Sequence, residues 1–148
     1  MKVKDCMCGE VCCVKPETNI SEIAKLMEKN HIGCVPVCDN KDCIVGVITD
    51  RDIILRSVAC DKDLKTTKAS EIMTCNVCTC NENDEICDVE HKMSKNQIRR
   101  IPVVENNKVV GILTLGDLAQ NTQEVGEKHV CDTIGNICDC GGQAKNDY

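Results

Sequence analysis

Hydrophobic positions in the first half of the chain form a helical stripe followed by two short strands. The stripe consists of Ile20, Ile23, Ala24 and Met27. The spacing i, i+3, i+4 and i+7 places these side chains on one face of a helix that starts near Thr18 and packs on a sheet. Two apolar runs, Cys34 to Cys38 and Ile44 to Ile48, predict strands. The polar residues Asp39 to Asp42 between them are typical of a hairpin turn.

The second half repeats this order of elements. A β-prone run, Val77 to Cys80, matches the run Val11 to Val14 and precedes a helix that starts near Asn83. The stripe of this helix consists of Ile86, Val89 and Met93. Glu90 interrupts the stripe where the first half has an alanine, so we expect this helix to be less tightly buried.

The two halves are copies of one sequence unit. Residues 31–37 (His-Ile-Gly-Cys-Val-Pro-Val) recur as residues 97–103 (Gln-Ile-Arg-Arg-Ile-Pro-Val), an offset of 66. Residues 45–52 recur as residues 110–117 at an offset of 65, because the turn around residues 106–107 is one residue shorter. A duplication of this length indicates a tandem repeat.

We therefore predict repeats at residues 1–60 and 66–122 and a tail at residues 123–148. Each repeat closes with a helix, starting near Thr49 or Thr114, and has the order β-α-β-β-α. One unit of about sixty residues buries too little surface to be comfortably stable, so we expect the two sheets to pair face to face. The pairing would leave two clefts at strand ends and helix starts, where backbone amides favour an anion.

Composition argues against several classes of function. The net charge of −6 opposes a polyanion, and 1% aromatic residues provide no stacking platform, so we expect no binding to DNA or RNA. No stretch approaches the roughly 20 apolar residues of a membrane helix, and the amino terminus leads into no apolar run, so we expect a cytoplasmic protein. His31, His91 and His129 accompany no catalytic motif, and we expect no enzyme.

The sequence Val35-Pro36-Val37 followed by Gly-Val-Ile-Thr-Asp-Arg-Asp (residues 46–52), in tandem copies, resembles the cystathionine-β-synthase (CBS) domain pair, or Bateman module. The resemblance covers residues 1–120. It implies an α/β (α+β) fold of two repeats packed sheet to sheet with pseudo-twofold symmetry. It also implies a disc-like homodimer that binds AMP, ADP, ATP or S-adenosylmethionine in its clefts, with no required cofactor.

The resemblance also assigns roles to residues of this chain. Asp52 and Asp117 would hold the ribose hydroxyls, and Thr49 and Thr114 would face ribose or phosphate. The adenine would be enclosed by backbone and apolar positions, namely Val11 to Cys13, Val35, Pro36, Val77 to Thr79, Ile101 and Pro102. The phosphate contacts would come from Arg51, Arg99 and Arg100, because a guanidinium pairs bidentately with phosphate oxygens. The adjacent arginines favour phosphate binding in the second cleft.

Simpler interpretations stay open for these positions. The Thr-x-x-Asp spacing of residues 49–52 and 114–117 is also that of a helix capping box. Pro36 and Pro102 can mark edge-strand positions, and Arg99-Arg100 can be a solvated pair.

The chain has fifteen cysteines, an odd number that favours reduced thiols over a disulfide framework. Spacings that a metal could use occur in Cys75-x-x-Cys78-x-Cys80, in Cys6-x-Cys8 with Cys12-Cys13, and in Cys138-x-Cys140. Adjacent strand residues point to opposite faces, so Cys12 and Cys13 do not easily serve one site. We expect no metal site, and a metal- or redox-responsive module is the first alternative function.

The tail contains Val130, Ile134 and Ile137 at i, i+4 and i+7, which predicts a helix that ends at Cys138-Asp139-Cys140-Gly141-Gly142, followed by disordered residues. No effector domain is recognisable. A regulatory output would therefore pass to a partner protein or to a second copy of the chain. A ligand-free interaction domain is the second alternative.

Overall fold

The computed structural model describes residues 1–139, which form two compact units. The first unit is Val11–Val77, and the second combines Met1–Glu10 with the described residues from Cys78 onward. The repeat boundaries at residues 1–60 and 66–122 remain a prediction. The part of the predicted tail beyond residue 139 lies outside the described residues. Among residues 1–139, none of the helices has the length and apolar character needed to span a lipid bilayer.

The first unit contains three α-helices and one β-hairpin. Its elements are α1 (Ile20–Asn30), β1 (Cys34–Cys38), β2 (Ile44–Thr49), α2 (Asp50–Arg56), a 3-10 turn (Val58–Cys60) and α3 (Ala69–Ile72). Helix α1 begins two residues later than predicted because Asn19 is the N-cap, its side chain accepting the N–H of Glu22 at 2.9 Å. The predicted stripe is confirmed, with Ile20, Ile23 and Met27 buried.

The second unit repeats this order and adds the tail. Its elements are a 3-10 turn (Val3–Asp5), α4 (Ile86–Asn96), β3 (Arg100–Glu105), β4 (Lys108–Thr114), α5 (Leu115–Gln120), α6 (Thr122–Val125) and α7 (Glu127–Cys138). Both hairpins are antiparallel, with Cys34 opposite Thr49 and Arg100 opposite Thr114. The helices and strands confirm the predicted α/β (α+β) class.

A methionine covers a strand glycine in each unit. Gly46 in β2 lies under Met73, and Gly111 in β4 lies under Met7. A Cβ atom at either glycine would come within 2.6 Å of the methionine sulfur. Glycine therefore allows the chain segment that carries each methionine to lie directly on the hairpin.

The runs Val11 to Val14 and Val77 to Cys80, predicted as strands, form only single bridges, at Val14 and at Cys80. Val14 donates its N–H to the Pro36 carbonyl at 3.0 Å, and its own carbonyl accepts from Cys38 at 2.9 Å.

Extending this parallel ladder would require the residue-36 N–H to donate to the residue-12 carbonyl. Proline has no N–H, so the ladder stops. Cys80 has the same relation to Pro102, whose carbonyl accepts the Cys80 N–H at 3.1 Å. Each proline thus ends the pairing on this side of its hairpin.

The predicted weak burial of the second long helix is wrong. Glu90 is only 5% exposed because α7 packs on α4, and its Oε1 accepts a hydrogen bond from Thr133 Oγ1 at 3.4 Å. The predicted tail helix is confirmed, but its buried face consists of Val130 and Thr133, whereas Ile134 is 39% exposed.

Candidate functional site

A threonine at the end of the first hairpin caps the following helix. Thr49 is the last residue of β2, and Asp52 lies in the first turn of α2. The Asp52 N–H donates to Thr49 Oγ1 at 3.1 Å, and the Thr49 N–H donates to Asp52 Oδ2 at 2.9 Å. The two residues are 1% and 8% exposed. The capping-box interpretation of this spacing is therefore confirmed.

The second hairpin ends in the same arrangement. The Asp117 N–H donates to Thr114 Oγ1 at 3.2 Å, while the Thr114 N–H and hydroxyl both donate to Asp117 Oδ2 at 2.7 Å. Thr114 and Asp117 are half-buried. In both units the capping box uses Oδ2, so the other carboxylate oxygen, Oδ1, is not part of it.

Two of the three predicted arginines lie at the helix start of the second unit. The Leu115 N–H donates to the Arg99 carbonyl at 3.0 Å, and Arg100 is paired with Thr114 across the hairpin. Arg99 is exposed and Arg100 is half-buried. The fold therefore brings both arginines to the end of the hairpin that carries the capping box. In the first unit Arg51 is exposed, and its backbone N–H donates to Asp50 Oδ1 at 2.9 Å.

The residues predicted to enclose adenine differ widely in exposure. Val35, Pro36, Ile101 and Pro102 are buried in their strands, whereas Val11, Val77 and Thr79 are half-buried and Cys13 is exposed. The side chains of Val35 and Ile101 are 0% exposed. These two strand residues therefore contribute to the hydrophobic core and offer no side-chain surface.

Burial makes some of the described thiols poor metal ligands. Burial raises the pKa of Cys38 and of Cys80 to about 12 and that of Cys6 to about 11. At Cys6 the negative charge of Asp117 adds to this rise. A metal binds the thiolate, and the part of the chain that the structure describes contains no cluster of three or more candidate metal ligands. Cys140 of the third spacing lies outside the described residues.

Family comparison identifies the duplicated unit. The family model of the CBS domain matches residues 3–59 and again residues 69–123. The chain belongs to the CBS domain family. The predicted resemblance is confirmed, and both capping boxes lie within the matched segments.

Similar proteins are other CBS-domain proteins. The chain is 41% identical over 119 residues to the CBS domain-containing protein YhcV of Bacillus subtilis. The alignment covers 80% of this chain and 84% of the relative. The solved CBS domain pair of protein MJ0100, in complex with 5-methylthioadenosine and S-adenosyl-L-methionine, is 34% identical with a TM-score of 0.75, covering 83% of this chain and 96% of that one.

A third similar protein contains zinc. Hypoxic Response Protein I, known from Mycobacterium tuberculosis, has been solved with two coordinated zinc ions. It is 31% identical to this chain, with a TM-score of 0.75, and the alignment covers 81% of this chain and 98% of that one.

Sequence reasoning missed Arg56, which forms an ion pair with the aspartate of the first capping box. Its Nε lies 3.6 Å from Asp52 Oδ1, and its Nη1 donates to the Ile72 carbonyl at 3.0 Å and to Thr74 Oγ1 at 3.3 Å. The i, i+4 spacing of Asp52 and Arg56 was the available signal. The second CBS repeat has Asn121 at this position, whose Nδ2 donates to the Asp117 carbonyl at 2.8 Å.

Proposed function

We propose that this CBS-domain protein binds an adenosine-containing ligand, AMP, ADP, ATP or S-adenosylmethionine, and acts as a non-catalytic regulatory module. The observation that carries the proposal is the pair of capping boxes, each of which orients an aspartate and leaves Oδ1 outside the box. The adenosine ligands of the MJ0100 domain pair support the choice of ligand class.

The aspartates suit a ribose diol. A carboxylate oxygen accepts hydrogen bonds, and two adjacent ribose hydroxyls can donate to it. Because the capping box fixes the carboxylate before any ligand arrives, little side-chain entropy is lost on binding. Asp117 is the stronger candidate of the two, since Oδ1 of Asp52 already faces the Arg56 guanidinium at 3.6 Å.

The segment at Cys12 suits the edge of adenine. Pro36 cannot donate to the Cys12 carbonyl, so the sheet does not use that acceptor. The exocyclic amino group of adenine can donate there, while the half-buried Val11 offers apolar surface to the ring. Thr79 and the neighbouring backbone are the matching segment of the second repeat.

Charge distinguishes the two sites. Arg99 and Arg100 lie beside the Thr114 capping box, whereas the first repeat has Gly33 and Cys34 at the matching positions. We therefore propose that the site in the second repeat prefers ligands with phosphate groups, and that Arg51 is the corresponding cation of the first site.

The signal passes onward by protein association. A ligand that prefers one arrangement of the repeats shifts the population toward it, and we propose that a homodimer or an effector protein reads this change. The fifteen cysteines fit a reducing compartment, and we propose the cytoplasm.

Isothermal titration calorimetry of Asp117→Asn tests the assignment. The amide carbonyl of the introduced side chain can still accept the Thr114 N–H, but the second acceptor oxygen is lost. We expect affinity for AMP or ATP to fall at least about tenfold, the size of one lost charge-assisted hydrogen bond, with a nearly unchanged melting temperature.

Asp84→Asn is the matched control, because Asp84 caps a turn of the same unit by accepting the Asn81 N–H at 3.0 Å. It should leave affinity unchanged. Equal affinity of wild type and Asp117→Asn for every ligand that binds would overturn the assignment, and no binding of any of the four ligands would overturn the proposed function.

A further inference from the structure

Two cysteines of the first unit lie on the two chain segments that the bridge at Val14 joins. Val14 is paired in parallel with Val37, through its bonds to the Pro36 carbonyl and the Cys38 N–H. Successive residues of an extended chain point to opposite faces. Val14 lies beside Val37, so Cys13 lies beside Pro36, and Cys38 is its diagonal neighbour on the same side of the ladder. The two thiols are close enough for each to change the pKa of the other.

The two thiols have different surroundings. Cys13 is exposed, whereas Cys38 is 3% exposed. Burial raises the pKa of both thiols, and the neighbouring Cys38 thiol opposes this rise at Cys13. The Lys15 ammonium lies near both sulfurs and lowers both pKa values. Cys13 is therefore the accessible and more easily ionised member, and Cys38 is the sheltered one.

We propose that Cys13 and Cys38 are a modification site at which a small-molecule disulfide, such as glutathione disulfide, produces an intramolecular disulfide bond. The Cys13 thiolate attacks one sulfur of the oxidant, forming a mixed disulfide and releasing one thiolate, which takes up the Cys13 proton. Cys38 then attacks the Cys13 sulfur, expels the second thiolate and gives up its proton to it. The two cysteines lose two electrons, and the oxidant becomes two thiols.

The cross-link would join the segment Val11 to Val14 to β1 and would close a loop of the chain that contains helix α1. Closing a loop of this length raises the melting temperature by about 5 to 10 °C. A disulfide is easily reduced when the reduced protein is stabilised by a thiolate. Both thiols have raised pKa values, so the reduced form of this protein lacks that stabilisation. The cross-link also fixes the peptide of Cys12, which precedes Cys13.

The second repeat supplies substitutions suited to the test. At the positions that match Cys13 and Cys38 it carries Thr79 and Val104, so Cys13→Thr and Cys38→Val introduce residues that this fold already accommodates. Cys12→Ser is the matched control, because it removes the adjacent thiol and leaves both Cys13 and Cys38 in place.

Reduced protein is incubated with glutathione disulfide, its remaining thiols are alkylated, and its peptides are analysed by mass spectrometry. We expect a cross-link between Cys13 and Cys38 in wild type and in Cys12→Ser, at a rate that rises with pH. Cys38→Val should instead retain glutathione on Cys13, and Cys13→Thr should form neither product.

Folded wild type that accumulates glutathione adducts without this cross-link would overturn the proposal. So would loss of the cross-link in Cys12→Ser. Circular dichroism of each variant establishes that the reacting protein is folded.

Discussion

Asp52 and Asp117 occupy matching positions but have different surroundings. Asp52 is 8% exposed and faces Arg56, whereas Asp117 is half-buried and has Asn121 at the position of that arginine. The capping boxes are alike, so local sequence determines the orientation of both carboxylates. The residue four positions later determines how strongly each one is already engaged.

Substitution Thr49→Val tests the structural part of this role. Valine keeps the shape of the side chain but removes the oxygen that accepts the Asp52 N–H at 3.1 Å. Loss of an N-cap costs about 1 to 2 kcal/mol of unfolding free energy, measured by urea denaturation. Thr66→Val, at an exposed threonine of the same unit, should change stability by less than about 0.5 kcal/mol. Equal stability of the two variants would contradict the cap.

At the scale of elements, each hairpin depends on a segment that lies directly on it. Met7 and Cys8 lie on β4, where a Cβ at Gly111 would be 2.6 Å from Met7 Sδ and 3.0 Å from the Cys8 carbonyl oxygen. The sulfur belongs to a flexible side chain and can move. The carbonyl cannot, because Cys8 is paired with Ile112 in both directions, at 3.0 and 2.9 Å.

Gly111→Ala should therefore lower the free energy of unfolding by about 1 to 3 kcal/mol, the usual cost of overpacking. The control is Gly135→Ala in α7, where a Cβ meets no atom within 4 Å. Alanine is the better helix former, so this variant should gain up to about 1 kcal/mol. Urea denaturation of both proteins measures the difference, and a Gly111→Ala protein as stable as wild type would refute the close contact.

The contact of α7 with α4 makes stability depend on pH. Burial raises the pKa of Glu90, although His129 and the Thr133 hydroxyl oppose the rise. The folded state therefore binds this proton more tightly than the unfolded state. The favourable contribution is complete below the unfolded pKa and is lost as pH rises through the folded pKa.

Glu90→Gln removes this dependence. The neutral amide keeps an oxygen for the Thr133 hydroxyl, so the variant should be more stable than wild type at neutral pH. The advantage should vanish at pH values below the ordinary glutamate pKa. Thermal unfolding across the pH range measures it, with the exposed Glu127→Gln as control. A variant destabilised at neutral pH would contradict this sign.

At the scale of the whole molecule, sequence periodicity predicted the hairpins and helices because each depends on neighbouring residues. The stripe of α1 and the Thr-x-x-Asp spacing were sufficient to locate α1 and the starts of α2 and α5. Two features depended on distant residues and were missed. The missing N–H of Pro36 limits the pairing of β1 with the segment at Val14, which is more than twenty residues earlier in the chain. Helix α7 buries Glu90 through Thr133, which is 43 residues later.

The candidate site was predictable to the same extent. Repetition located Thr49, Asp52, Thr114 and Asp117, and family resemblance supplied the hypothesis of an adenosine ligand. Spacing alone could not decide between a capping box and a ligand site, because both use the same side chains. The structure assigns Oδ2 to the cap, and the proposed function uses Oδ1.

The most direct test of adenosine binding is a nuclear magnetic resonance titration of the ¹⁵N-labelled protein with AMP, ATP and S-adenosylmethionine. Binding as proposed predicts saturable shifts of the amides at residues 114–117, at Arg99 and Arg100, and around Cys12, with larger changes in the second repeat for ATP than for S-adenosylmethionine. Spectra that do not change with any of the three ligands, or that change only at positions remote from both capping boxes, would contradict it.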